Sequence, residues 1–504
     1  MVLKEASFVG ASALTQAQLE AAWSSLRDKP VSLQDLRAIA ARAEAIYAAA
    51  GYPFVAILVP PQEVVDGKVS FQVIEGRISD LTILGLDPVA RRQVAAAFEP
   101  VVGRTPLPLS AVESAYERAQ AVPGLAVAGA VRRGSQPGGM DLVIQAKRKT
   151  WRAYANVNNF YSEPVGPWGA LVGVDYNGAS RFGDRTSAQF YSTFDISEQQ
   201  VLKLSHTRVL SADATSLNVE FLRAWARPRG TVSALDLATD VVFGRAEISQ
   251  PLIRSQPLAL TLTAGVELTD QETQAFSSTT LAHDHIRVAV GRLNGLWRTS
   301  WQTTSFSAEF RRGLNIWGAS QSGDADLSRF GADPQATVLR GSIQTEARGP
   351  FGTAFGLTVL GQRSTSSLVT PEEFSVGNLT LGRGYDPGAS FGDSALGASL
   401  EWRLKPFAVA KSLQAQPFVF YDRVRVWNEE AAAPNGRTLE SAGGGVRLVI
   451  AEKARLDLTY AAPQDPPLGF GEKTPGARLL VNLTIGIPEA FQGLGHLFRH
   501  GAAK

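Results

Sequence analysis

The sequence predicts an α+β region of two tandem small domains followed by an all-β transmembrane barrel of about sixteen antiparallel strands. Three observations carry this expectation. The element order β-α-α-β-β occurs twice within the first 150 residues. From about residue 150 the helical period gives way to a period of two, sustained to about residue 487. No run approaches the ~18 consecutive apolar residues of a membrane-spanning helix, although 44% of the 504 residues are hydrophobic.

Taken in order, residues 2–9 read as a strand. Thr15 to Leu26 reads as a helix, with Thr15 and Gln18 at capping-box spacing. Ser32-Leu33-Gln34-Asp35 opens a second, alanine-rich helix that runs to Ala50 and stops at Gly51, a C′ position. Strands follow at Phe54–Val59 and, after the Pro60-Pro61 break, at Lys68–Ile74. The order then returns as Ile78–Leu84, Pro88–Val101, Ser110–Ala121, Ala126–Val131 and Met140–Gln145. The expected domains are 1–75 and 76–149, each a three-stranded sheet under two helices. An open sheet edge in either copy can accept an extended peptide as an added strand; capped edges would make the domains spacers.

Beyond residue 150 the alternation is plain. In Leu258–Thr269, Leu258, Leu260, Leu262, Ala264, Val266 and Leu268 share one face, and in Arg478–Ile487 the apolar set is Leu479, Val481, Leu483, Ile485 and Ile487. A β-sandwich alternates too, so length decides: runs of about ten residues suit tilted spanning strands with lipid outside and water inside. Sixteen segments run from 151–159 to 477–487, an even number as bacterial barrels require. Trp168, Trp225, Trp297, Trp301, Trp402 and Trp427 lie near segment ends, where interface girdles form. Residues 150–487 are therefore assigned to the barrel and 488–504 to a C-terminal extension, in which Phe491, Leu494, Leu497 and Phe498 suggest a short amphipathic helix. Met1–Glu5 lacks the basic and apolar regions of a signal peptide, so the numbered chain is expected to start after a leader.

Composition narrows the chemistry. Lys and Arg number 49 against 47 Asp and Glu, a net charge of +2 that gives no argument for a nucleic-acid partner. The chain has no cysteine, which excludes disulfides and thiolate metal sites. No Gly-x-Ser-x-Gly elbow, His-Glu-x-x-His or P-loop occurs, so neither catalytic residues nor a cofactor are expected. His283 and His285 share a strand face without an evident third ligand, so no metal is assigned to them. Gly443-Gly444-Gly445 sits in a strand pattern and suggests a bend or bulge.

The most distinctive stretch is Leu381-Gly382-Arg383-Gly384-Tyr385-Asp386-Pro387-Gly388, between the eleventh and twelfth segments. Glycines on both sides of Arg383 let a tight loop project its guanidinium. Upstream lies Leu368–Gly377 and downstream Gly392–Trp402, which re-enters a strand. An arginine in a confined lumen needs a carboxylate partner.

This run resembles the Arg-Gly-Tyr loop of the Omp85 superfamily, and its surroundings look most like the two-partner secretion transporters, the haemolysin and filamentous-haemagglutinin exporters. The N-terminal repeats resemble POTRA domains, with Gly51-Tyr52, Val59-Pro60-Pro61-Gln62 and Ile74-Glu75-Gly76-Arg77 similar to the two-partner variety. Phe420-Tyr421-Asp422 resembles the family's strand motif. The resemblance implies that Arg383, Gly384, Tyr385 and Asp386 form the lumen loop, with Asp422, Phe420 and Glu401 as its wall partners. Val424 departs from the family's usual glycine. The implied function is an outer-membrane translocator that captures and secretes an exoprotein of adhesin or haemolysin type without ATP, with residues 1–149 in the periplasm. Implied partners are the exoprotein, outer-membrane lipid, and the barrel assembly machinery with periplasmic chaperones. An Omp85-type insertase and a passive porin are the alternatives.

Overall fold

A computed structural model describes residues 1–486 except 86–87, 137, 179, 181–182, 212, 256, 277–278, 431–435 and 468–472. The expected extension 488–504, and Ile487 of the last expected strand, lie outside the described residues.

The first unit builds a sheet from β1 (Glu5–Val9), β2 (Val55–Leu58) and β3 (Lys68–Glu75), with β3 central, parallel to β1 and antiparallel to β2. Helix α1 (Gln16–Leu19) carries the expected capping box at Thr15 and Gln18 but lasts four residues before two 3-10 turns. The long helix predicted to Leu26 therefore does not form. Leu19, Ala22 and Trp23 are all buried, and a segment placing all three inward above two serines, poor helix formers, follows the core surface instead. Helix α2 (Leu33–Ala49) has a Ser32–Asp35 capping box and ends before Gly51 at φ +90°. Phe8 stacks on Phe71 at 5.1 Å within a core that also holds Ile39 and Tyr47. The Glu75 carboxylate accepts from the Ser12 and Ala13 amides (both 2.8 Å), the Ser12 hydroxyl and the Tyr47 hydroxyl (3.0 Å), tying three parts of the unit together.

The second unit repeats the plan with β4 (Arg77–Leu84), α3 (Pro88–Phe98), α4 (Leu109–Gln120), β5 (Leu125–Arg133) and β6 (Gly139–Arg148), with β6 central. Phe98 and Tyr116 meet edge-on at 4.9 Å in its core. This unit rests against barrel turns: Arg148 donates to the Asn177 carbonyl at 2.9 Å, Asn177 Nδ2 to the Lys149 carbonyl at 2.7 Å, and Ser114 to the Arg254 carbonyl at 3.2 Å.

The remainder closes into a sixteen-stranded antiparallel barrel. Its strands are β7 (Trp151–Asn158), β8 (Gly169–Asn177), β9 (Asp184–Thr193), β10 (Gln199–Val209), β11 (Ser216–Ala226), β12 (Ala238–Arg254), β13 (Leu258–Ala275) and β14 (Thr279–Arg298). Next come β15 (Gln302–Gly313), β16 (Thr337–Arg348), β17 (Ala354–Ser364), β18 (Ser394–Arg403), β19 (Leu413–Trp427), β20 (Arg437–Ile450), β21 (Ala454–Pro463) and β22 (Arg478–Ile485). Strands β12 to β14 have 17, 18 and 20 residues, well beyond the ~9–11 that span a bilayer. Their far ends therefore project past the membrane, on the side away from the small domains. Outward side chains on β19, Val419 and Tyr421, are exposed, whereas Phe418, Phe420, Asp422, Val424 and Val426 face inward and are buried. Period 2 thus separates a lipid face from a lumen face.

Closure is by a short seam. Strands β22 and β7 share four register pairs, from Asn482↔Asn158 to Ile485↔Ala155. Side chains extend it: Asn156 Nδ2 donates to Asn482 Oδ1 at 2.6 Å and to Thr484 Oγ1 at 2.9 Å, and Asn159 Oδ1 accepts from the Val481 amide at 2.7 Å.

The Gly443–Gly445 expectation is corrected. Neither pairing of β20 shifts register there. A Cβ on Gly443 would lie 2.8 Å from the Phe420 ring and one on Gly445 would lie 2.8 Å from that of Phe418. The glycines form no bulge; they seat two aromatic rings from the neighbouring strand.

Candidate functional site

Between β17 and β18 the chain, residues 365–393, folds back into the lumen. A three-residue pair, Phe374–Val376 with Ser390–Gly392, closes its stem. Within it Val376, Leu381 and Tyr385 form a small core against wall residues Ala395, Val424, Val426 and Leu439. Leu381 would strike a Cβ on Gly397, the register partner of Val424. A glycine on the neighbouring strand thus lets Leu381 approach the wall beside Val424.

Gly382 has φ +98°, a conformation that side chains rarely adopt. Gly384 has ordinary φ, yet a Cβ there would lie 2.6 Å from Pro463 N and 2.9 Å from Ser441 Cβ. The two glycines thus act differently: one turns the chain, the other lets its backbone touch the wall.

The turn delivers Arg383 to β18 and β19. Its Nη2 and Nε donate to Asp422 Oδ1 and Oδ2 at 2.8 and 3.1 Å, and its backbone amide adds a third bond to Oδ2 at 2.9 Å. Nη1 donates to Glu401 Oε2 at 2.9 Å and Nη2 to Ser399 Oγ at 2.7 Å. The guanidinium carbon lies 3.5 Å from the Phe420 ring centroid, adding a cation–π contact. Glu401 in turn takes Arg403 at 2.5 Å and Arg447 at 2.7 Å, and Arg447 covers Phe418. Asp422 is 1% exposed, so this bidentate pair is held largely out of water and fixes orientation as well as position.

Tyr385 is fully buried, and its hydroxyl donates to the Glu440 carbonyl at 2.8 Å and accepts from the Asp465 amide at 3.1 Å. The Asp386 carbonyl accepts from the Ala389 amide, closing the turn, while its carboxylate pairs with Arg478 on β22 at 2.7 Å. Asn378 Nδ2 reaches the Phe160 carbonyl beyond β7 at 2.8 Å. The loop therefore bridges both sides of the seam.

All seven residues selected from the sequence meet in this one place. Three contacts were missed. Glu372 receives Arg311 through two bonds, 2.7 and 3.0 Å, and Arg340 at 3.1 Å. Arg329, from the β15–β16 loop, bonds Asp393 at 2.5 Å and Glu373 at 3.0 Å. Leu327 and Ala332 of that loop cover Ile286, Val288 and Val290 on β14 together with Val369, which explains an apolar inner face on this strand. The doubled acid Glu372-Glu373 beside a proline turn was the only signal for these anchors, and acidic pairs in loops are common.

Among the described residues no group of three or more His, Asp or Glu side chains is placed to hold a metal ion. His285 bonds Asp270 at 2.8 Å, alongside Arg287 at 2.7 Å. The loop is held to the wall by paired charges within the lumen, with no disulfide between them.

Comparison with known proteins gives two family matches. Residues 1–76 match the POTRA domain, ShlB-type, and residues 138–448 match the haemolysin secretion/activation protein ShlB/FhaC/HecB. The haem/hemopexin transporter protein HuxB of Haemophilus influenzae is 20% identical over 456 residues, 88% of this chain and 80% of that protein. Among solved structures, CdiB from Escherichia coli superposes with a TM-score of 0.78 at 15% identity, covering 96% of this chain and 90% of its own. CdiB from Acinetobacter baumannii gives 0.67 at 14%, covering 96% and 89%. At these identities the structural likeness speaks for the fold.

Proposed function

This chain belongs to the haemolysin secretion/activation protein family, ShlB/FhaC/HecB, and from that premise we propose how its parts divide the work of export. It is an outer-membrane translocator of the two-partner secretion type, a β-barrel with periplasmic POTRA domains. Residues 1–75 and 76–149 act as two POTRA units that capture the unfolded N-terminal part of one exoprotein. Each unit has two edge strands, β1 and β2 in the first and β4 and β5 in the second. The Gln16 side chain covers Phe8 on β1, Glu44 takes the Ile57 amide on β2, and Val102 bridges Ile78 on β4, so β5 is the edge best suited to strand addition. The chain then passes through the barrel once the Arg383 loop leaves its dock, and folds outside. Folding on the far side gives the motion its direction, so neither ATP nor a catalytic step is needed. An adhesin or cytolysin fits as cargo, and assembly machinery with chaperones serves only in biogenesis.

The observation that carries this reading is the Arg383 dock. A passive porin needs a constriction, but not an arginine paired with a strand aspartate at 1% exposure. The test is reconstitution of the purified protein into liposomes without nucleotide. The unfolded N-terminal segment of a candidate exoprotein, added on the POTRA side, is expected to become protease-protected inside. Equal protection in vesicles without the protein would sink the proposal. Protection of an unrelated barrel protein inserted into the bilayer would favour the insertase reading instead.

A further inference from the structure

The lumen wall carries two charge networks of opposite balance, and the loop supplies the missing charge of each. Around Arg383 the wall contributes Arg403 and Arg447 against Asp422, Glu401 and Glu346, all joined by pairs of 2.5–2.9 Å. Among the described residues that wall is one cation short, and Arg383 completes it. On the other side, Arg311 pairs with Glu267 at 2.8 Å and Glu309 at 3.3 Å. Arg292 joins Glu309 to Glu247, and Arg340 approaches Glu309 at 3.9 Å. Arg245 links Glu267 and Glu247 to Glu220, which ends on Lys203 at 2.9 Å. Among the described residues this network holds five wall cations and four wall carboxylates. It is one anion short, and Glu372 of the loop completes it.

We propose that Glu372 is a second anchor of the Arg383 loop, a positioning residue that holds the loop's base on Arg311 and Arg340 as Arg383 holds its tip on Asp422. The proposal rests on reading the loop as the movable barrier of a protein-conducting barrel. Arg311 is 5% exposed, and a buried cation left one partner short is costly. Withdrawal of the loop therefore leaves a cationic strip on β15 and β16 and an acidic one on β18 and β19, so the two anchors resist release together. In the open state those strips face the passing chain and can pair with its charged side chains of either sign.

The chain has no cysteine, so a single Val369→Cys reports on the loop. Val369 is 1% exposed, three residues before Glu372, and packs on β14. In intact cells a membrane-impermeant maleimide is expected to label it slowly in the otherwise native protein. With Glu372→Gln it should label about tenfold faster or more, and Glu372→Asp, which keeps the charge, should fall between. In planar bilayers Glu372→Gln should also shift the reversal potential toward anion selectivity, a change that mere loosening of a loop does not produce. Arg340→Gln removes one contact from the wall side and should raise labelling as well, which covers the case in which Glu372→Gln fails to give a heat-modifiable barrel. Unchanged labelling and selectivity in folded Glu372→Gln, or in folded Arg340→Gln if that variant must stand in, overturns the proposal. Labelling needs no exported chain, so faster labelling together with absent export counts against the transport reading and leaves the anchor standing.

Discussion

Asp422→Asn isolates the loop dock without altering its shape. The amide keeps the size of the carboxylate but removes the charge facing Arg383 Nε and Nη2, its backbone amide and the Ser441 hydroxyl at 3.3 Å. Removing one partner's charge from a buried pair costs about 3–5 kcal/mol. Glu401 and Ser399 still bond the guanidinium, so the lower bound, ~3 kcal/mol, applies; it shifts the docked-to-undocked ratio by about a hundredfold. The ladder bonds of β19 are untouched, so the cost falls on docking and not on barrel closure. Trypsin reads the change, because Arg383 itself remains and can be cut only when the loop leaves the lumen. Purified wild type should yield almost no fragment beginning at Gly384, and Asp422→Asn should release it faster by one to two orders of magnitude at equal heat-modifiability. Equal rates would refute the assignment of Asp422 as the carboxylate that holds the loop.

Three further outcomes follow from the same geometry. Gly384→Ala places a methyl within 3 Å of Pro463 and Ser441, so it should release the loop and raise cleavage after Arg383 while the barrel still assembles. Asn156→Ala removes the side-chain bridge across a four-pair seam, worth about 1–3 kcal/mol, and should lower the temperature at which the barrel unfolds in detergent gels. Burial of Glu75 raises its carboxyl pKa, but hydrogen bonds from Ser12, Ala13 and Tyr47 outweigh this and hold it below the usual range. A depressed carboxyl stabilises the fold above its unfolded pKa, about 4.3, and that contribution is lost as pH falls through the lower folded value. Hydrogen exchange over residues 1–76, corrected for intrinsic rates, should loosen across that window in the wild type, and Glu75→Gln should flatten the dependence.

Much of this was legible because two signals are local. Period-2 alternation follows directly from strands with lipid on one face, and the expected segments begin and end within a few residues of the observed strands for most of the barrel. The capping residues Thr15 and Ser32 act within three positions, and both boxes form. The apolar alternation of Leu258–Thr269 stops six residues before β13 ends at Ala275. Asp270 to Gln274 continue the ladder in water, where backbone pairing needs no apolar face. The inner face of β14 is apolar because distant loop residues Leu327, Ala332 and Val369 cover it, which alternation cannot reveal. Glu372 and Arg311 stand 61 positions apart, among many lumen charges, so only the fold identifies them as partners. Arg383 was easier to find because its flanking glycines announce a tight projecting loop.

The most direct test of the central claim is export in living cells. A candidate exoprotein from the same cells is followed into the medium when they make wild-type protein, Arg383→Ala protein at equal barrel levels, or none. Export with the wild type, a sharp drop with Arg383→Ala and none without the protein are the predicted results. Equal amounts in the medium whether or not the protein is present would contradict the account.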